Sequence, residues 1–472
     1  MAEQKQSSLS IENAKEFLVG YDRQVPLLDG RMQRYVNFDN AASTPTLKPV
    51  LDAINEFMPW YSSIHRGTGF KSQLSTHIYE YSRDVVRRFC NIHDAEHTII
   101  FGKNSTEAIN KLARRIPLED DSVIFTTRME HHSNDLPWRM RAKKVVHLDV
   151  DGTGRLDMDH LKQKLTEYRG RVRLVAVTGA SNVTGYINPI KEIARLAHEA
   201  GAEIMVDAAQ LAPHRPLDMG KQDDPEHIDY LAFSAHKIYA PFGLGVLVAN
   251  RTAFEDGEPD MVGGGTISIV SMDHIFWADV PEKEEAGTPN VVGAVALAKS
   301  LQVMMELGMD KVAQHEARLT AYALKKMKQI PGMIIYGSAD EKDVDSRLGV
   351  ISFNLQGIPH ALVASVLNYE YGIGVRNGCF CAHPYIKFLL GVSQDENKKL
   401  EERILHHDRS EIPGAVRISF GIYNDESEID YFIDALTKIA KGEIAGDYAL
   451  NKETGEYRPG NFELKFDEYF KL

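Results

Sequence analysis

Two residues in this chain are spaced to do chemistry together. Lys237 closes the run Tyr230-Leu231-Ala232-Phe233-Ser234-Ala235-His236-Lys237, an apolar strand that breaks into a turn with a Pro and two Gly behind it. A long charged side chain at the end of a core strand either snorkels to water or is held there as a Schiff-base former. Upstream, the run Gly201–Gln210 ends another apolar strand in Asp207, with Gln210 following closely. In an α/β sheet the carboxyl ends of parallel strands open on one crevice, so Asp207 and Lys237 can face each other across a ligand. That pair is what pyridoxal phosphate requires: a lysine to carry it, and an acid to keep its ring nitrogen protonated so that the ring accepts electrons.

Other residues fit the same ligand without demanding it. After the strand ending at Phe101, Asn104-Ser105-Thr106 open a helix. N–H groups and hydroxyls there make a phosphate site, or Ser105 and Thr106 are no more than an N-cap. Ser234 and His236 precede the lysine and are available to the same phosphate. Asn182, in the turn Ser181–Gly185, offers an amide that suits a ring hydroxyl. His131 and His132 are adjacent, so they cannot both face one ion from a strand or helix. Cys379 and Cys381 form a lone C-x-C, weak evidence for zinc. No metal is expected. Ala41-Ala42 before Ser43-Thr44-Pro45 reads as a tight turn, and His65, between Ile64 and Gly67, as a surface loop or a site loop.

The motifs Ser181–Gly185 (SNVTG), Val206–Gln210 (VDAAQ), Phe233–Lys237 (FSAHK), Glu285–Asn290 (EAGTPN) and Arg376–Pro384 (RNGCFCAHP) resemble, in order, those of the class V aminotransferase fold, in its cysteine desulfurase and selenocysteine lyase branch. The resemblance runs from Asp39 to about Asn424. It implies a fold type I pyridoxal-phosphate enzyme with a large α/β domain, a smaller α+β domain and a homodimer. It places His131 flat on the cofactor ring, with Ala41 and His65 beside the substrate. Thr288 would reach the phosphate of the partner subunit. Cys381 falls at the last place of the R-x-G-x-x-C-A pattern that begins at Arg376, where the family carries its sulfur-accepting cysteine. Arg417 matches the arginine that receives the substrate carboxylate. The implied reaction takes the small amino acid L-cysteine to L-alanine and leaves a persulfide on Cys381, for a sulfur-acceptor protein. Cys379, two residues before the nucleophile's place, is either a resolving thiol or a small filler. An aminotransferase, epimerase or other β-lyase of the same fold is the alternative. A non-catalytic sulfur relay is disfavoured because Asp207, His236, Lys237 and Arg417 are all present.

The elements that must position these residues can be read from the pattern. Strands alternate with helical segments from 97 to 249, which argues a mostly parallel sheet covered by helices. The expected division is an arm over 1–36 with a short amphipathic helix (Ile11, Ala14, Phe17, Leu18), a large domain over 37–295, a small domain over 296–441 and a tail over 442–472. Two stretches depart from the resembled pattern. One is a charged helix inserted near 391–414, in which His406 and His407 should be solvated. The other is the tail, whose aromatics (Tyr448, Tyr457, Phe462, Phe466, Tyr469, Phe470) suggest packing on the body. A net charge of −13 with no dense basic run argues against nucleic acid. Three cysteines cannot build a disulfide framework, which points to a reducing compartment. No run approaches the ~18 apolar residues of a membrane span, and Met1–Ser10 lacks the apolar core of a signal peptide. The expected location is the cytoplasm.

Overall fold

The computed structural model describes residues 9–460 and 462–472; residues 1–8, on which most of the signal-peptide reading rests, lie outside that range. A seven-stranded sheet carries the site. Its strands, in chain order, are β1 (His97–Gly102), β2 (Val123–Thr127), β3 (Lys144–Leu148), β4 (Val172–Thr178), β5 (Glu203–Asp207), β6 (Tyr230–Ser234) and β7 (Gly245–Asn250). Their order across the sheet is β1-β7-β6-β5-β4-β2-β3. Five neighbours from β6 to β3 run parallel, and β7 runs antiparallel to both β1 and β6. Every residue of β6 is buried, as are all but one of β4. Near-continuous apolar runs of this kind are what a sheet covered on both faces needs.

Five helices frame the site and its surroundings: α1 (Phe70–Phe89), α2 (Ser105–Arg115), α3 (Ile190–Glu199), α4 (Val291–Leu307) and α5 (Gln394–Leu405). α4 is apolar nearly all round and buried nearly all round, a core helix and not a surface one. Among the described residues, no single helix is long and apolar enough to cross a membrane.

The return strand β7 decides where the site lies. Gly245 pairs with Gly102 at the end of β1 and with Ser234 at the end of β6, so those two ends come level. The close approach has a condition. A Cβ on Gly245 would lie 2.2 Å from the carbonyl carbon of Asn104, so only glycine lets β7 pass beneath the start of α2.

A second, antiparallel sheet holds β8 (Met333–Tyr336), β9 (Val350–Leu355), β10 (Arg376–Gly378) and β11 (Ala415–Ser419) in the order β8-β9-β11-β10. It has its own apolar core, built from Phe353, Leu367, Ile418, Phe432 and their neighbours. In β10 and β11, Arg376 sits directly opposite Arg417.

Three stretches differ from the sequence reading or refine it. The N-terminal amphipathic helix is one 3-10 turn, Ala14–Phe17; Ala14 and Leu18 are buried, while Phe17 stays half exposed. Four residues cannot offset the cost of helix nucleation, so the turn is held by contacts with the body: the buried Ala14 and Leu18, the Lys15–Asp425 ion pair at 3.1 Å and the Lys48 amine on the Glu16 carbonyl at 2.6 Å. The inserted segment forms α5, closed by a Ser393–Glu396 capping box, with no residue buried and with His406 and His407 exposed. In the tail, a hairpin of Tyr448–Asn451 and Glu456–Pro459 packs on the body, with Phe462 and Tyr448 against Tyr369. Phe466, Tyr469 and Phe470 stay outside this packing; they are 71%, 54% and 74% exposed.

Candidate active site

The carboxyl ends of β5 and β6 open on a cavity of about 240 Å³. β6 ends at Ser234, and a single 3-10 turn, Ala235–Lys237, carries the lysine over its rim. The turn is pinned from outside. The His236 carbonyl accepts Thr44 N–H at 2.9 Å and the Ser43 hydroxyl at 3.1 Å, while Tyr239 N–H donates to Thr44 Oγ1 at 2.7 Å. The Ala41 turn is thus a clamp on the lysine loop. Gln210 fastens its other side by donating from Nε2 to the Ala41 carbonyl at 2.8 Å.

Lys237 makes no hydrogen bond or ion pair among the described residues. Burial pushes its amine down from 10.5 to about 8; Asp207 opposes the shift and Arg417 adds to it. Asp207 is buried at the cavity wall and accepts Ala209 N–H at 3.0 Å. Burial raises its carboxyl above the usual range, against the pull of that N–H and of Lys237. Nearby, Glu130 is wholly buried and accepts from Thr127 Oγ1, Asn134 Nδ2 and Thr178 N–H. Burial pushes it up to about 8. Sequence reasoning passed over Glu130; its place beside His131 was the available signal.

The start of α2 forms one wall. Its N-cap is Asn104, whose side chain accepts Glu107 N–H at 3.0 Å, so Ser105 and Thr106 are not the cap. They face the cavity. Ser105 N–H donates to Ser234 Oγ at 2.7 Å, and that hydroxyl lies 2.9 Å from Ser105 Oγ. Thr106 Oγ1 is 2.7 Å from Ser133 Oγ, which is 3.0 Å from His131 Nδ1. Ser133 N–H also donates to His131 Nδ1 at 3.1 Å, so the neutral ring carries its proton on Nε2. Burial first, then Lys237, His132 and Arg417, push His131 down to about 4; burial and Lys237 do the same to His236. Both rings are neutral at physiological pH.

The second sheet closes the opposite wall with Arg417. Its guanidinium donates to the Asn182 carbonyl and to Asp39 Oδ1, each at 3.0 Å, and lies 4.9 Å above the Phe380 ring. Its Nε is buried without a partner among the described residues. Arg376, half open to solvent, stands 3.9 Å from the other Asp39 oxygen. Two guanidiniums around one carboxylate leave net positive charge, the condition for taking up an acidic group. Asp39 was not singled out in the sequence; an acid just ahead of the Ala41 turn was the clue.

Cys381 is exposed at the mouth of the cavity, in a loop where Phe380 and Cys381 both take left-handed backbone, φ 51° and 54°. Two such non-glycine residues in succession need external support. Asn182 Nδ2 gives it to the Phe380 carbonyl at 2.7 Å, and His132 N–H to the Cys381 carbonyl at 2.8 Å. Cys379 is buried, donates its thiol to the Pro413 carbonyl at 2.8 Å, and is pushed up to about 11 by burial. Cys90 is a fully buried small hydrophobe.

Two expected site residues lie elsewhere in this chain. His65 does not line the cavity. It is exposed at φ 67°, with Nε2 3.1 Å from Glu80 and its ring edge-on to Tyr79, because Glu80 draws the imidazole away and raises its pKa. Thr288 is exposed on the loop after Glu285, across the β1–α2 turn from the cavity.

This arrangement has relatives. Residues 36–432 match the family profile Aminotransferase class-V. A cysteine desulfurase of Haloferax volcanii is 34% identical, the match covering 85% of this chain and 88% of the relative. A probable cysteine desulfurase of Streptomyces coelicolor is 34% identical over 88% of this chain and 96% of its own length. Among solved structures, the apo cysteine desulfurase of Thermococcus onnurineus superimposes with a TM-score of 0.73 at 33% identity, covering 86% of this chain and 95% of that one. The cysteine desulfurase CsdA of Escherichia coli gives 0.75 at 29% identity, over 93% and 100%. With most of its length matched by the profile and by these relatives, the chain belongs to the class-V aminotransferase family.

Proposed function

We propose that the protein is a pyridoxal-phosphate-dependent cysteine desulfurase that takes L-cysteine to L-alanine and carries the sulfur away as a persulfide on Cys381. The observation that carries this reading is a solvent-exposed cysteine on a braced left-handed loop, at the mouth of a cavity floored by an unpaired lysine.

The donor set fits the cofactor. Ser105, Thr106, Ser234 and His236 supply hydroxyls and a ring for a phosphate, and α2 adds its N-terminal dipole and the Thr106 N–H, the Ser105 and Glu107 N–H groups being engaged by Ser234 and Asn104. Asp207 would hold a proton on the ring nitrogen, His131 would lie against the ring, and Lys237 would carry the group covalently. Asn182 keeps one amide N–H free of the Phe380 carbonyl, enough for a ring hydroxyl. When bound, the cofactor supplies an electron sink for the substrate's α-carbon. Lys237, with its amine near 8, is suited to take the α-proton and return it. Arg417, with an unpartnered Nε, would fix the substrate carboxylate. The Cys381 thiolate would attack the substrate sulfur, forming S–S as Cβ–S breaks, with the bonding pair staying on carbon. Cys379, held as a thiol near 11, is not a competing nucleophile.

A homodimer is part of this reading. Thr288 points outward, beside an apolar hairpin (Ile267–Val270 and Ile275–Trp277) whose Ile269, Met272 and Phe276 are exposed. A two-fold partner would cover that patch and receive the threonine. Three unpaired thiols suit a reducing, cytoplasmic setting.

The test is a product assay with L-cysteine and a reductant, which should give alanine and sulfide in equal amounts. Cys381→Ala should keep the yellow cofactor band while losing sulfide release. Sulfide at wild-type rate from that variant, or a wild-type enzyme that never shows a persulfide by mass spectrometry, would overturn the desulfurase reading.

A further inference from the structure

At the opposite end of β6 from Lys237, two histidines and an aspartate converge. His198 lies in the last turn of α3, His227 in the loop before β6, and Asp229 immediately precedes the strand. The imidazoles stack at 4.2 Å with planes 17° apart. His198 Nε2 is 3.0 Å from Asp229 Oδ2, and His227 Nε2 is 3.3 Å from Oδ1. The rings reach solvent (side chains 17% and 12% exposed) and the carboxylate does not (5%).

Proton accounting makes this cluster unusual. His198 Nδ1 lies 2.7 Å from the Pro225 carbonyl, and His227 Nδ1 lies 2.6 Å from the Asp224 carbonyl. Carbonyls only accept, so both Nδ1 atoms carry hydrogen and both Nε2 atoms face the carboxylate. If the rings are neutral, two lone pairs point at carboxylate oxygens; if one is protonated, its Nε2–H donates to Asp229 and the other lone pair still faces an oxygen; if both are protonated, two cations stack face to face. The carboxylate itself is already anchored, accepting Ile204 N–H at 2.8 Å and Asn250 Nδ2 at 2.8 Å. Each oxygen retains a lone pair for something else.

We propose that His198, His227 and Asp229 form a binding site for a zinc-class divalent cation. The cation takes both Nε2 lone pairs and the carboxylate charge, and removes either conflict. Nδ1–H donated to a backbone carbonyl is the usual outer-shell partner of a metal-bound histidine, fixing tautomer and orientation. Two metal–ligand bonds of about 2.0–2.1 Å at a tetrahedral angle place ligand atoms roughly 3.3 Å apart, close to the nitrogen–oxygen separations here. All the candidate ligand atoms lie within 4.8 Å of one another. The stacked rings turn toward each other on binding, which their exposed edges permit, and water fills the fourth position on the solvent side. Two imidazoles and one carboxylate favour zinc over magnesium or calcium. The ion would tie the end of α3 and the loop over 224–228 to the base of the strand that bears Lys237.

The experiment uses the full-length protein stripped with a chelator and titrated with Zn²⁺ by calorimetry, then with Co²⁺ by absorption. One saturable Zn²⁺ equivalent should bind and raise the melting temperature. The Co²⁺ form should show d–d bands without a thiolate charge-transfer band, which separates this site from Cys379 and Cys381. His198→Gln/His227→Gln should weaken that equivalent by more than the roughly 100-fold that loss of an outer-shell partner costs. The variant should show no Zn²⁺-induced rise above its own metal-free melting temperature; should the pair fail to fold, His227→Gln alone, on the loop, gives the same reading. Absence of a saturable equivalent, equal binding by the variant, or loss of the equivalent only on Cys381→Ser would overturn the proposal.

Discussion

Two hollows lie on either side of the β1–α2 turn, and each holds a buried charged group, Lys237 in one and Glu285 in the other, treated in opposite ways. In the Lys237 cavity, the amine has no partner, Arg417 keeps an unpaired Nε, and Asp207 and Glu130 are raised by burial. Across the turn, the buried Glu285 is saturated. Arg83 forks onto both its oxygens at 2.8 Å, and Tyr79 OH and Phe101 N–H each donate at 2.6 Å. An unsatisfied buried polar group costs stability, so an unpartnered group that faces a cavity is a candidate to bind something there. Glu285 has no capacity left for a ligand; it braces α1 against β1 and presents Thr288. The contrast separates the groups that react from the groups that hold still.

The comparison can be broken at either hollow. Lys237→Ala should lower alanine production by at least about 10⁴-fold, the upper range for removal of a general base, and bleach the cofactor band. With both proteins stripped of cofactor, its melting temperature should barely move, because no side-chain partner is lost; a large fall would show that the lysine is structural. Arg83→Ala should do the reverse. Removing one member of a buried, forked pair costs roughly 3–5 kcal/mol, measurable by denaturant unfolding. The same variant should also weaken whatever Thr288 contacts. A loss below about 1 kcal/mol would mean that solvent reaches Glu285.

A pH titration sharpens the contrast. The Lys237 amine is depressed to about 8, so it loses its proton as pH rises through 8, and the free amine is the form that captures the cofactor. The capture rate of cofactor-stripped protein should therefore fall about tenfold per unit below pH 7 and level off above about 9. A profile still climbing at pH 10 would place the amine at its ordinary value. The smallest expected effect is at Cys379. Cys379→Ala should cost about 1 kcal/mol of stability and leave most of the sulfide release, since the thiol is already engaged by the Pro413 carbonyl.

The sequence disclosed what chain-local pattern can disclose. Asp207 and Lys237 stood out because each ends an apolar run, and the sheet then brings both strand ends to one crevice. Residues whose meaning depends on distant partners were opaque. Asp39 acquires its role only when Arg417 lands 3.0 Å away, and Glu285 only when Arg83 forks onto it. Asn104 and Ser105 are equally good caps on propensity; the choice was made by Ser234, which claims the Ser105 N–H. The left-handed pair at Phe380 and Cys381 has no glycine to announce it, being enforced by Asn182 and His132. Aromatic content alone did not say that Phe462 would find Tyr369 while Phe466 would stay in water.

Gly245 carries the last consequence. The start of α2 rests on it with less clearance than a methyl group occupies. Adding that methyl would tilt the helix off its seat and spoil the alignment of Ser105 with Ser234, although no reacting group had been touched. Such a variant would imitate weakened cofactor affinity while retaining every functional side chain. The tightest tolerance in this machinery thus belongs to a residue that contributes no atom to it, and a survey of side chains by chemical type would pass it by.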